Sequence, residues 1–124
     1  MASITLFGKE FPLEYTVQVM EDVTKRFGGT VEAVEGLSSG ENQLENTIFL
    51  LAAMMKGAER RERVRCALWN EEFKGPAAPD YNTLMESMNM VDLRNMASAL
   101  VEAITESQKV TTEIQPDAKK NEDT

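Results

Sequence analysis

The sequence predicts an α+β fold that is mostly α: an N-terminal β-hairpin packed on a bundle of about five helices, with a disordered C-terminal tail. Three observations predict it. Two short stretches of alternating polar and apolar residues open the chain, apolar residues then recur at helical spacing, and this spacing is lost from Ser107 onward. We therefore expect a single domain at residues 1–106, which is a normal domain size, and a polar tail at 107–124.

The hairpin is predicted from stretches 3–7 and 10–15, which lie on either side of a pair that contains glycine, Gly8-Lys9. Pro12 cannot donate a backbone hydrogen bond, so the second strand should lie at an edge or leave the ladder early. A two-stranded hairpin alone is marginally stable in water, so its apolar face must pack on helices. The residues expected on that face are Ile4, Leu6, Phe11 and Leu13.

Two helices are expected directly after the hairpin. Thr16 is a suitable N-cap for the first. Gly28-Gly29 ends that helix, and we expect one of the two glycines in the left-handed conformation. The second helix is shorter, covers residues 30–37, and ends at the break Ser38-Ser39-Gly40.

The strongest helical pattern runs from Glu41 to about Lys56, where apolar residues cover most of the helix surface. A helix of this kind lies centrally, with neighbours on more than one side. Gly57 weakens the pattern. A further amphipathic helix is expected after it, which includes the mixed charges of residues 59–63 and ends before Gly75-Pro76.

Two more helices are predicted after the linker at 74–79, whose prolines and glycine cannot continue a helix. Thr83-x-x-Glu86 is a capping-box pattern that would open the first of them. Asn89 or Asp92 can cap the second, in which apolar residues keep helical spacing as far as Ile104.

The composition excludes most enzyme chemistry. The chain has no histidine and one cysteine, Cys66, so it lacks an imidazole base, a Ser-His or Cys-His pair and a histidine-containing zinc site. Acidic pairs such as Glu71-Glu72 occupy adjacent helix positions, which point in different directions. The stretch Phe27-Gly28-Gly29-Thr30 lacks the spacing and the lysine of a phosphate-binding loop. We therefore predict no enzymatic activity, no cofactor and no metal site.

Charge and hydropathy narrow the choice of partner and location. With 13 basic and 21 acidic residues, the net charge of −8 argues against a protein that binds duplex nucleic acid. The most apolar stretch, residues 48–55, is far shorter than the roughly 20 residues of a membrane span, and no secretory signal is evident. A lone cysteine closes no intrachain disulfide. We expect a cytoplasmic protein that binds neither nucleic acid nor a membrane.

Methionine is the unusual enrichment, with eight residues in the chain. Flexible thioethers fill irregular cores, and they also line surfaces that accept varied apolar partners. Core packing is the default interpretation, but two consecutive methionines exceed what one helical stripe needs, and another falls beside a helix start. An aromatic pair next to the arginine cluster at 60–65 suits a core edge or an interface. The candidate partner-binding residues are Met54, Met55, Met90, Trp69 and Phe73.

The order of these segments resembles a known family. The opening Ser3-Ile-Thr-Leu-Phe-Gly-Lys-Glu-Phe-Pro-Leu-Glu-Tyr15 and the helix end Lys25-Arg-Phe-Gly-Gly29 are similar to the start of tail assembly chaperones of long-tailed, siphophage-type bacteriophages. Those small acidic proteins commonly have an xITLxGKEYPL hairpin, a helix ending in RFG and then an apolar helix. Residues 45–54 occupy the place of that apolar helix here. The resemblance covers roughly the first half of the chain, and from Arg60 onward it is only an order of helices.

The resemblance implies a function. Such chaperones bind the long, largely helical tape-measure protein in the cytoplasm of the infected host cell, keep its apolar stripes soluble until the tail tube polymerises, and are absent from the mature virion. The family often makes a longer second product by ribosomal frameshifting. Lys119-Lys120 is compatible with an A-rich slippery sequence and equally with an ordinary dilysine in a polar tail. The partner implied is the tape-measure protein; a frameshifted longer form and a second copy of the chain are further partners to test.

Two other functions stay open. A small acidic phage or prophage regulatory protein could bind a host protein or mimic nucleic acid, but mimicry predicts clustered acidic residues, and those of this chain are dispersed among basic ones. A structural tail subunit would persist in purified virions. A tape-measure gene immediately downstream would favour the chaperone over both.

Overall fold

The computed structural model describes residues 2–38 and 42–114, without the side chains of residues 38 and 108–114. Within these ranges it has a two-stranded antiparallel sheet and five helices, which confirms the predicted α+β, mostly α class. None of the described helices is long and apolar enough to cross a membrane. The elements are β1 (Ser3–Leu6), β2 (Lys9–Pro12), α1 (Val17–Phe27), α2 (Thr30–Ser38), α3 (Gln43–Leu68), α4 (Tyr81–Ser87) and α5 (Met90–Ile114).

The hairpin turns at Phe7-Gly8, one residue earlier than the expected pair Gly8-Lys9. Both turn residues have positive φ angles, 51° and 80°, as a two-residue turn of type I′ requires. The sequence pattern missed this turn because phenylalanine rarely adopts a left-handed backbone conformation, whereas glycine does so readily. Pro12 is the last residue of β2, in keeping with its missing N–H.

The hairpin packs its apolar face on the helices as predicted. The Glu14 N–H, just after β2, donates to the Met54 carbonyl of α3 at 3.3 Å and so joins the hairpin segment to that helix. The buried side chains of the apolar face are Ile4, Leu6, Phe11 and Leu13.

The caps of α1 and α5 agree with the sequence. The Thr16 hydroxyl accepts the Val19 N–H at 3.2 Å, and Gly28 ends α1 with a φ of 98°. At α5, the side chains of Asn89 and Asp92 accept each other's backbone N–H at 2.9 and 3.1 Å. This reciprocal capping box identifies Asn89 as the N-cap.

The N-cap of α4 differs from the expected one. The Asp80 carboxylate accepts the Thr83 N–H at 2.8 Å, so α4 begins at Tyr81 and Thr83 lies inside its first turn. The predicted capping box of Thr83 and Glu86 is therefore wrong. Asp80 supplies an equivalent acceptor about one turn earlier, immediately after the linker.

α3 is one continuous helix of 26 residues, where the sequence predicted a break after Lys56. Gly57 lies inside this helix and is buried. A Cβ atom added there would stand 2.7 Å from Val19 Cγ2 and 3.1 Å from the Glu14 carbonyl oxygen. The glycine therefore permits the close approach of the chain between β2 and α1, and it does not interrupt α3.

Gly57→Ala is expected to destabilise the domain, although alanine favours a helix by about 1 kcal/mol over glycine. Overpacking costs about 1–3 kcal/mol, and one of the clashing atoms is a backbone oxygen, which cannot rotate away. Gly36→Ala in α2 is the matched control, because the nearest atom there is the flexible amide end of Asn46, at 3.1 Å. Urea denaturation should find only Gly57→Ala less stable than the wild type. Equal stability of the two variants would refute this packing role.

α3 is the central helix, as its apolar pattern predicted. It contacts β2 of the hairpin and all four other helices. A helix surrounded in this way buries residues on most of its circumference. Its buried apolar side chains are Ile48, Leu50, Leu51, Met54, Met55, Ala58 and Cys66.

α5 extends to Ile114, past Ser107, where the sequence predicted the tail to begin. Residues 107–114 contain neither glycine nor proline. Helical spacing of apolar residues is therefore not needed for the helix to continue past Ser107. The rest of the predicted tail, residues 115–124 with Lys119-Lys120, lies outside the described residues. So do residues 39–40 of the predicted break and Glu41, where the next helix was expected to begin.

Candidate partner-binding groove

A concave surface of the described residues is a groove along one side of α3, which we call the α3 groove. Its volume is about 1390 Å³. Pockets for small molecules typically have about 300–1,000 Å³, so this open groove is better matched to a segment of protein. Its floor is a stripe of α3 residues at helical spacing, about 22 Å or four turns long. The stripe consists of Phe49, Ala53, Lys56, Arg60 and Val64.

α1 forms one wall of the groove. It runs opposite in direction to α3, because Val19 near its start lies against Gly57, while Phe27 at its end packs edge-on against Phe49 with ring centroids 5.9 Å apart. The Arg26 guanidinium lies over the Phe49 ring, 4.5 Å from the centroid. Other walls come from residues 78–81 and from α5.

Next to Phe49 the groove is accessible because the α3 residues there are alanines. Ala52 and Ala53 are only half-buried, and no large side chain of the described residues covers them fully. Small residues at a helix contact allow a second helix axis to approach closely. Val17 and Val64, at the edges of the groove, are 83 % and 57 % exposed. Exposed apolar side chains that border a concave surface are consistent with an interaction site.

The charge of the groove is opposite in sign to that of the chain. Its lining contains five basic and four acidic residues, so 5 − 4 = +1, against −8 for the whole sequence. All four of those acids have partners within the domain, and Asp22 accepts a hydrogen bond from Gln18 Nε2 at 3.1 Å. Glu14 binds Arg61 at 3.0 Å, Glu106 accepts the Ala2 N–H at 3.3 Å, and Asp80 caps α4. The hydrogen bond from the backbone of Thr83 lowers the pKa of Asp80.

A buried carboxylate holds the 78–81 wall in place. The Glu59 side chain is 6 % exposed and accepts three hydrogen bonds, from the Ala78 N–H at 2.8 Å, from Arg63 Nε at 2.7 Å and from Lys56 Nζ at 3.5 Å. These bonds favour the charged form and lower the pKa of Glu59 to about 2. Because Ala78 is fixed on α3 by Glu59, the residues that follow it are positioned along the groove.

Trp69 and Phe73 lie near each other in sequence at the end of α3, outside the α3 groove. Trp69 is 71 % exposed and follows Leu68, which is also exposed. Phe73 is half-buried beneath the Arg63 guanidinium, 4.1 Å from the ring centroid, and borders a smaller cavity of about 500 Å³ between β2 and α3. This end of α3 is a second exposed surface with the composition of an interface.

The structure separates the five predicted partner residues. Met54 and Met55 are 0 % and 2 % exposed, so the prediction that they line an exposed surface is wrong. Two adjacent helix residues are buried together because α3 has neighbours on several sides. Met90, which is 55 % exposed, lies at the start of α5 and not with the pair Trp69 and Phe73. Partner binding stays a prediction for these three residues.

Cys66 is buried near the end of α3. Burial, together with the neighbouring Glu62 carboxylate, raises the pKa of its thiol, although Arg65 acts in the opposite direction. A raised pKa keeps the sulfur protonated near neutral pH, where the thiolate is the nucleophilic form.

The α3 groove was not predicted from the sequence, although some of the residues that line it form a recognisable pattern there. Ala52, Ala53 and Gly57 are small residues on the most apolar helix, and Lys56 and Arg60 follow at one-turn spacing on the same side. The walls are supplied by α1 and by residues far along the chain. Their position depends on tertiary contacts, which helical periodicity does not encode.

Comparisons with known proteins identify no relative of this chain. No protein-family model, no curated protein and no solved structure matches this chain. What bears on its function is therefore the opening motif of the sequence together with the geometry and charge of the two exposed surfaces described above.

Proposed function

We propose that this protein is a tail assembly chaperone of a long-tailed bacteriophage, which binds the tape-measure protein and keeps it soluble until the tail tube polymerises. The observation that carries the proposal is the α3 groove, an open helix face about four turns long with small apolar residues in its floor. The partner is the one that the resemblance of residues 3–29 to such chaperones implies. A largely helical protein with apolar stripes suits a groove of this length.

Helix-in-groove recognition explains how such a chaperone works without chemistry. An amphipathic helix places its apolar face in the groove, where that face is shielded from water and from other copies. The negative charge of the carrier, −8, then disfavours association of loaded complexes through mutual repulsion. No cofactor is needed for either effect.

The residues that carry the resemblance contribute to the groove. Tyr15, at the end of the hairpin motif, lines the groove, and its hydroxyl is 2.7 Å from the hydroxyl of Thr30 at the start of α2. Arg26 and Phe27, in the RFG motif, pack on Phe49 of the floor. The motif thus supports the wall that α1 forms, which is consistent with a role in binding.

Co-expression tests the proposal. The tape-measure protein of the same phage, expressed alone, should be mostly insoluble, and co-expression with this protein should raise its soluble fraction severalfold and yield a complex on size exclusion. An unrelated acidic protein of similar size controls for a general effect of charge. If the two co-expressed proteins give the same soluble fraction, the chaperone function is excluded.

Purified virions distinguish the chaperone from a structural tail subunit. A chaperone is displaced during assembly, so mass spectrometry should detect this protein in infected cells and not in virions purified on a density gradient. Detection at a stoichiometry comparable to that of other tail proteins would favour the structural alternative.

A further inference from the structure

We infer that the α3 groove selects an amphipathic helical segment with acidic residues in its central turns. As a description of the tape-measure segment, this inference rests on the proposed function. It concerns a property that the resemblance does not supply, namely the charge pattern of the bound segment.

The side chains of the floor change in character along α3. Phe49 and Ala53 are apolar, Lys56 and Arg60 are cationic, and Val64 is apolar. The Arg26 guanidinium on the α1 wall lies over Phe49, so positive charge extends from the centre towards that end. At 1.5 Å per residue these three zones occupy about 22 Å. A partner helix that lies along α3 meets them in the same order.

The cations in the centre of the floor are available to a partner. Arg60 is exposed, and within the described part of the chain no carboxylate lies in ion-pair range of it. Lys56 is half-exposed, and its contact with Glu59 is long, at 3.5 Å. Lys25, on the α1 wall, forms only a surface pair with Glu21, and such pairs contribute little. Lys56 and Arg60 can therefore turn to a carboxylate in the centre of the groove, and Lys25 adds positive charge nearer the Phe49 end.

The charge of the groove differs from that of the rest of the molecule. A chain with 21 acidic and 13 basic residues repels an acidic segment at most of its surface. The groove is the exception, because its lining has more basic than acidic residues, all four acids have partners within the domain, and Arg60 has no ion pair among the described residues. Charge complementarity thus favours an acidic segment there, and like-charge repulsion disfavours it elsewhere.

The test uses two labelled synthetic helical peptides, identical at their apolar ends, with glutamates in the central turns of one and lysines in the other. Fluorescence anisotropy should show that the wild-type protein binds the glutamate peptide at least about tenfold more tightly. Arg60→Glu should remove most of this preference and improve binding of the lysine peptide. Arg94→Glu, the same charge change at an exposed position of α5 outside the groove, should leave both affinities nearly unchanged.

Circular dichroism of both variants establishes that they are folded before binding is compared. Equal affinity of the wild type for the two peptides, no binding of either, or equal losses in the two variants would each overturn the inference. So would a wild-type dimer that Arg60→Glu converts to monomer while neither peptide binds, because the occupant would then be a second copy.

The two proposals fail in different ways. If the glutamate peptide binds through Arg60 while the tape-measure protein does not bind at all, the charge preference of the groove is supported and the proposed function is not. If the tape-measure protein binds and Arg60→Glu has no more effect than Arg94→Glu, the function is supported and the inference about charge is overturned.

Discussion

Met54→Gln is expected to lower the free energy of unfolding by about 3–5 kcal/mol, enough to unfold a marginally stable domain. The Met54 side chain is fully buried in α3, at the centre of the fold. Glutamine has a similar shape, so the effect comes from burying an amide without a hydrogen-bond partner, about 1–3 kcal/mol, and from the lost burial of apolar surface. Urea denaturation followed by circular dichroism measures it.

Met90→Gln is the matched control for this substitution. Met90 is 55 % exposed at the start of α5, so the same chemical change should alter stability by no more than about 0.5 kcal/mol. Similar small effects at both positions would contradict the burial of Met54. A much larger loss of stability for Met54→Gln than for Met90→Gln would show that Met54 acts in core packing. Partner contacts are then expected at other residues.

Glu59→Gln is expected to destabilise the domain by about 3 kcal/mol at pH 7. The pKa of Glu59 falls from its ordinary value of 4.5 to about 2 in the folded protein, because the Ala78 N–H and Arg63 hydrogen-bond its charged form. A pKa difference of this size corresponds to about 3 kcal/mol. Glutamine keeps an acceptor for the Ala78 N–H but loses the attraction to Arg63 and Lys56.

The pH dependence of this effect has a defined sign. The folded pKa is depressed, so the contribution of Glu59 is complete above pH 4.5, the unfolded value, and is lost as the pH falls towards about 2. The gap in stability between the wild type and Glu59→Gln should therefore narrow over this range. Denaturation at pH 7, 4 and 2.5 measures it, with Glu86→Gln, at an exposed position of α4, as the control. A gap independent of pH would contradict the role assigned to Glu59.

Those parts of the fold that depend on local chemistry could be predicted from the sequence. The alternation of residues 3–15 predicted the hairpin and its buried face. Thr16, Gly28 and Asn89 have side chains or backbone freedom that suit helix ends, and each occupies the end expected of it. The apolar surface of α3 predicted its central position.

Other parts depend on tertiary contacts and could not be predicted in this way. From the sequence alone, Gly57 predicts a weakened helix. The close approach of Glu14 and Val19 explains why a glycine is present at this position inside a continuous α3. The burial of Met54 beside Met55 follows from the number of neighbours that α3 has. In each case the local preference of the residue is ambiguous. Contact with a segment distant in sequence then determines its conformation or its burial.

The candidate site was predictable only in its composition. An adaptable apolar surface on the helical domain was expected, but its position was assigned to methionines, of which two are in the core. On α3 the groove is lined by alanines, by Phe49 and Val64, and by cations that the sequence alone assigns to an ordinary solvated helix. Its walls depend on the packing of α1 and on Glu59, which fixes residues 78–81 against α3.

The central claim is that the tape-measure protein binds in the α3 groove, and NMR titration tests it most directly. The ¹⁵N-labelled protein is titrated with a soluble fragment of the tape-measure protein, and the perturbed amides are mapped. We predict that the perturbations concentrate at groove residues such as Gln18, Ala53 and Arg60, while the Trp69 indole and Met90 change little. Perturbations confined to Trp69 and Met90, or no perturbation at saturating fragment, would contradict the claim.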